Sequence, residues 1–331
     1  MKKFLLVSAT AVALFLSGCS TKEVYEPKLV TDDWDKEEGI DSELVDRAYN
    51  VALLEDRHVL DHKGIKDVEI DEDKRLIAES DGWVLSASID GNLSLISTND
   101  MNITKYFDLK ESIASASVQG ETLAVLFANN NMALYDLNSK ELLFKEQGGS
   151  SLAVDMRIVT PYFLNDLVIF ATLDGKVVIV NTKEKKRLRT VIVSSEEKFN
   201  NVIYLSMIEN KIIAATGSKI LSLAQKEIRQ KYEVRSITDD GKSIYIATKQ
   251  GDVLSLTPDL QVINKIKLPF AHILGMISMD DKLYLLEKGE YILEVDKKTF
   301  AYKVYESSFS DGFVFVGDKV FYVDDTKILL K

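Results

Sequence analysis

One cysteine, three histidines and a run of basic residues are the side chains here whose chemistry asks for an explanation. Cys19 is the only thiol, and it follows the most apolar stretch of the chain, Phe4 to Leu16, broken only by Ser8 and Thr10. The thiolate is a strong nucleophile, and the small Ser17 and Gly18 just ahead of it leave the sulfur open to an enzyme. His58 and His62 stand four apart and would share a helix face, but a metal needs further ligands in the right shell. Both are read as solvated residues where a helix gives way to a strand. His272 follows Pro269-Phe270-Ala271 and reads as a loop or core residue, not a base. The strongest positive cluster is "TKEKKRLR", 182 to 189. It reads as a solvated turn at the outer edge of a repeat, with a docking patch for an acidic partner or lipid headgroup as the alternative. No Gly-rich phosphate loop, Ser-His-Asp order or paired-carboxylate spacing stands out. The expectation is therefore no catalytic residue, no metal, no cofactor and no enzyme activity.

The N-terminus reads as an address. Lys2 and Lys3 precede the apolar run, which falls short of the about 20 residues a transmembrane helix needs. A basic start, a short apolar core and small residues after it describe a secretory signal peptide over 1–18. Leu16-Ser17-Gly18-Cys19 resembles the bacterial lipobox. That resemblance implies recognition of Leu16, Ser17 and Gly18 by the processing peptidase, cleavage before Cys19, a diacylglyceryl group on its sulfur and an acyl chain (palmitate) on the new amine. Ser20, where retained lipoproteins carry Asp, implies delivery to the outer membrane. Lipidation also removes a free thiol from an oxidising compartment. Several acyl chains, each worth about 0.8 kcal/mol per buried CH₂, make a stable anchor. The expected location is the outer membrane, facing the periplasm.

With 41 basic and 52 acidic residues the chain carries −11, and loss of Lys2 and Lys3 makes it −13. A nucleic-acid partner would need a basic stripe instead. Four prolines and 46% hydrophobic residues fit a globular body.

Residues 19–41, charged and aperiodic, read as a lipidated tether, with the acidic "DDWDKEE" around Trp34 as a mobile linker or a short recognition element. Leu44, Val45, Ala48, Val51, Ala52 and Leu54 recur at helical spacing, which predicts a helix over 42–56 with Asp41 or Ser42 as its cap. A linker follows to residue 63. From 64 to 331 the period becomes two, and paired strands recur around turns at Gly91, Asn130, Gly175, Ser218, Gly251, Gly289 and Gly317. Asn129-Asn130-Asn131 is simply one such turn. The intervals of 39, 45, 43, 33, 38 and 28 residues are close to four short strands each, the mark of an all-β propeller. Seven blades are expected, with eight as the competitor. The last unit lacks an outer strand, and an open edge is a liability, so 64–71 is expected to close the ring.

Three stretches follow the Asp-x-x-Thr-Gly-x-x-x-Trp spacing of the pyrroloquinoline-quinone-type propeller repeat: Asp136 to Phe144, Asp296 to Val304 and, more faintly, Asn181 to Arg189. The chain resembles that family over about 64 to 331. Its tryptophans, Trp34 and Trp83, lie outside the repeat slot, so smaller apolar residues must pack between blades. A quinoprotein dehydrogenase would require a stacking tryptophan, acidic calcium ligands and often a disulfide. A lipobox joined to such a propeller is similar to the BamB family of outer-membrane assembly lipoproteins. That resemblance implies a non-enzymatic scaffold that binds envelope proteins, including the β-barrel assembly machine. The alternative is a propeller that binds a small ligand or polysaccharide on its central channel.

Overall fold

The computed structural model describes residues 23–151 and 154–331, and among them every regular element is a β-strand. The strands form eight four-stranded sheets, one of which gains a fifth strand. The result is an eight-bladed β-propeller. Blade 1 comprises Leu44–Arg47, Val51–Leu54, His58–Asp61 and Gly64–Glu69, and each later blade repeats the antiparallel meander. Eight buried clusters are present among the described residues, one between each pair of neighbouring blades. Blades stack face to face, so their second strands are buried on both sides and read as unbroken apolar runs. Leu123 to Phe127, Val168 to Ala171 and Leu283 to Leu286 are examples, all buried.

The count of seven is corrected to eight by the segment read as a helix. Residues 44–54 form two four-residue strands joined by a turn in which the Ala48 N–H donates to the Val51 carbonyl (2.8 Å). Elements this short do not separate a period of two from one of 3.6, and Val51–Leu54 is buried throughout, so it has no alternation to show. At the other end, Gly317 turns between the first and second strands of blade 8, whereas the earlier turn residues sit between second and third strands. That offset accounts for the short last interval.

The closing strand also differs from expectation. Gly64–Glu69 is the outer strand of blade 1, while blade 8 borrows Glu37–Gly39, whose Glu37 faces Ile328 and Gly39 faces Thr326. An N-terminal strand does complete the last blade, but it comes from the supposed tether. Ahead of it, Asp32–Asp33 lies parallel to the outer strand of blade 7. Trp34 is 3% exposed, packs edge-on against Tyr284 and Tyr305, and donates its indole N–H to the Leu329 carbonyl (3.0 Å). Tyr25 is buried against Tyr291. Residues 25–39 are thus part of the propeller, because two aromatic side chains in an acidic stretch found apolar partners. Leu16, Ser17, Gly18 and Cys19 lie outside the described residues.

Candidate functional site

Up-and-down connectivity puts two kinds of connection on one face of the ring: those between second and third strands, and those from one blade to the next. Six exposed apolar side chains lie on them among the described residues: Ile89, Val154, Met156, Phe199, Phe270 and Phe313. Phe199 is 60% exposed at φ 51° and Phe270 is 56% exposed at φ 64°. For a bulky residue this left-handed backbone is strained; Leu260 and Phe300 adopt it too but are buried, whereas these two rings face water. The loops themselves are well anchored. Gly251 at φ 79° brings the turn before Phe270 so close that a Cβ would meet the Leu268 carbonyl oxygen at 2.1 Å. Beside Phe199, Asn200 is buried and donates to the carbonyls of Asp174 (3.1 Å) and Ser194 (3.0 Å).

The first strands, which touch between blades 2 and 3, 6 and 7, and 7 and 8, line the centre of the ring. Arg157 ahead of Tyr162–Leu164, Arg235 near the start of Val234–Asp239 and Arg47 at the last position of Leu44–Arg47 form an arginine cluster. Arg157 grips Asp155 with two hydrogen bonds, Nε to Oδ1 (2.9 Å) and Nη2 to Oδ2 (2.6 Å). Its Nη1 donates to the Arg235 carbonyl (2.8 Å), spanning from the approach to blade 4 to blade 6. Asn201, fully buried, holds this segment through bonds to the Asp155 N–H and to the carbonyls of Asp155 and Arg157. Arg235 meets His272 Nε2 through Nη1 at 3.0 Å. A guanidinium only donates, so in this bond the imidazole nitrogen accepts. Arg47 donates from Nη1 to the Val314 carbonyl (2.7 Å), tying blade 1 to blade 8. Enclosure in protein and the Arg157 charge lower the pKa values of both Arg47 and Arg235. Arg47 nevertheless keeps solvent-accessible surface; a side chain in a water-reached channel is both surrounded and wet.

Farther along the channel, Tyr49 reaches across it to Leu205 (3.4 Å). Blades 1 and 5 are opposite in a ring of eight, so this side chain crosses the axis region. Its hydroxyl pKa is pushed up to about 12, by burial first and then by the charge of Asp239. Asp239 accepts from the hydroxyls of Tyr204 and Ser206.

The residues singled out by sequence are dispersed. His58 contacts Asp56 and Glu69, whereas His62 meets the Val316 carbonyl through Nδ1 (2.9 Å), so the pair shares no focus. His272 is the exception, brought to the channel by Glu287, which accepts its backbone N–H at 2.7 Å. The basic run at 182–189 falls on the outer strand of blade 4 and its turn. Lys183, Lys186, Arg187 and Arg189 there pair with Asp166, Glu184, Glu146 and Glu227. The sequence carries no pattern that joins the channel arginines, because they are single residues 78 or more positions apart. Asp155 and Arg157, two apart, are the one pair of the cluster that is local in sequence.

No protein-family model matches the chain. Among solved structures it is similar to BamB from Moraxella catarrhalis, with a TM-score of 0.66 at 11% identity over 88% of this chain and 97% of that one. It shares the BamB fold. Curated relatives named "Plasminogen-binding protein PgbB" from two strains of Helicobacter pylori are 34% and 33% identical over 222 residues, 65% of this chain. The match spans 41% of the length of those relatives.

Proposed function

We propose that this propeller is a non-enzymatic protein-binding module of the cell envelope, held at the outer membrane by a lipid on Cys19 and docking partners on the face that carries Phe199 and Phe270. The observation that carries the reading is that pair of phenylalanines, both in strained left-handed backbone and both with rings in water. Aromatic anchors of this kind dominate protein interfaces. The name of the curated relatives and the BamB-like fold support a protein as the partner. A role in assembly of outer-membrane β-barrel proteins is the finer form of the proposal, in which the ring is a rigid scaffold beside the assembly machine.

In-cell crosslinking from positions 199 and 270 of the lipidated chain, together with barrel-protein levels in a deletion strain, tests both forms. A crosslink to the assembly machinery with reduced barrel levels is the expected result. Normal levels with no crosslink there remove the assembly role. Purified plasminogen, offered to the same chain on a sensor surface, tests whether a host protein is the partner instead. Replacing Cys19 with Ser should leave an unprocessed or soluble form; a variant that still partitions with membranes after carbonate washing overturns the anchor.

A further inference from the structure

We propose that the arginine cluster of the central channel is a binding site for a small oxyanion of charge near −2, a dicarboxylate or inorganic phosphate. Arg47, Arg157 and Arg235 converge there from blades 1, 4 and 6, although the chain as a whole is strongly acidic. Their mutual influence shows in the pKa values, since the Arg157 charge depresses both of the others. Asp155 is the carboxylate paired within the cluster, and both its oxygens are occupied by Arg157. Asp46 also acts on Arg47, but Lys249 adds a further positive charge near Asp155. Three guanidiniums against one paired carboxylate leave an excess of two positive charges, partly enclosed by protein though each keeps some contact with water. Like charges held this close repel, and a bound anion relieves that repulsion.

The donors to receive one are present. Arg235 Nε is buried with no hydrogen-bond partner, while Nη1 of the same group is fixed by His272. A guanidinium presents its N–H groups as a planar fork that fits carboxylate and phosphate oxygens. Asn201 and the Glu287 contact to the His272 backbone pre-position the cluster from behind. Structural stapling of blades explains Arg47 Nη1 and Arg157 Nη1, but not the charge excess or the orphaned Nε. The site is independent of any protein docking on the loops above.

The test is thermal unfolding and titration calorimetry of the purified chain with succinate and with inorganic phosphate, each against sodium chloride at equal ionic strength. Saturable stabilisation by either anion is expected, and the arm that responds tells the dicarboxylate from the phosphate. Arg235→Lys keeps the charge, loses the fork and should weaken binding about tenfold. Asp155→Asn should tighten binding of the same anion, even as it lowers the melting temperature of the free protein, a combination a purely structural ion pair does not produce. Shifts no larger than those of chloride overturn the proposal, as does unchanged affinity in Arg235→Lys or weaker affinity in Asp155→Asn.

Discussion

Tyr49, on a turn of blade 1, donates its hydroxyl to the Leu205 carbonyl of blade 5, 3.4 Å away and 156 residues later. The bond joins opposite sides of the ring, a contact that neighbouring-blade packing alone does not provide. Removing the hydroxyl in Tyr49→Phe sacrifices one long bond from a partly exposed side chain to the backbone of a buried residue. The expected loss is at the low end of about 0.5–1.5 kcal/mol, measured by urea unfolding. The wild-type phenol should titrate spectroscopically near pH 12.

Closure of the ring should depend on Trp34 far more heavily. Its indole fills the interface of blades 7 and 8, satisfies the Leu329 carbonyl and lies under Lys331, whose ammonium is 4.9 Å from the ring centroid and paired with Asp35. Trp34→Ala should cost about 3–5 kcal/mol by cavity formation and leave a carbonyl without its donor. A loss below about 1 kcal/mol would show that the N-terminal segment does not hold the last blade.

Much of this architecture was legible in turn spacing, because each four-stranded blade needs a similar length of chain and places a tight turn at a similar point. The illegible parts have physical causes. Blade 1 hid behind strands of four residues, where periodicity carries little information. Trp34 hid in a run of carboxylates whose side chains point to water while the indole turns inward. The channel cluster was harder still, since Arg47, Arg157 and Arg235 meet only once the ring is closed.

The repeat-like stretches share one turn, and that turn makes a prediction. Asp136 Oδ1 accepts from the N–H groups of Asn138 and Ser139 and the Ser139 hydroxyl; Asp296 does the same for Lys298 and Thr299. The following residues, Lys140 and Phe300, take φ 63° and 57°. That conformation favours glycine, and any other residue pays about 1–2 kcal/mol. Lys140 is exposed, so Lys140→Gly should raise stability by roughly 1 kcal/mol. Gly251→Ala should do the reverse and cost at least about 1–3 kcal/mol, since it adds a backbone clash to the strain. Equal effects of the two substitutions would contradict both turn assignments.

Acid sensitivity follows from the buried carboxylates. Burial pushes Asp155 and Asp174 upward, but hydrogen bonds outweigh it and hold both below the usual value of 3.8: Arg157 for Asp155, and Lys176 with Thr172 for Asp174. A depressed pKa contributes stability above the unfolded value, lost as pH falls below it. Glu287 is opposite: burial raises it despite three backbone N–H donors, so its contribution is full below about 4.5 and fades as pH climbs through the raised value. Urea midpoints between pH 2.5 and 7 should show a steep acid limb that flattens in Asp155→Asn. Glu287→Gln should flatten the limb above pH 4.5 and leave the acid limb intact.

The strained phenylalanines offer a test in which stability and binding move in opposite directions. At φ 51° and 64°, Phe199 and Phe270 hold backbone conformations that glycine adopts freely, and their rings bury little in the free protein, at 60% and 56% exposure. Glycine at either site relieves left-handed strain of about 1–2 kcal/mol and gives up little packing, offset in part by the greater freedom of the unfolded chain. Each substitution should therefore leave the melting temperature unchanged or higher. If the rings anchor a partner, the double variant should lose at least tenfold in affinity or crosslinking yield, because aromatic anchors contribute about 2 kcal/mol or more at an interface centre. Residues kept for packing would destabilise the fold on removal. Residues without a role would leave both readouts untouched, and either outcome would remove this face as the docking surface.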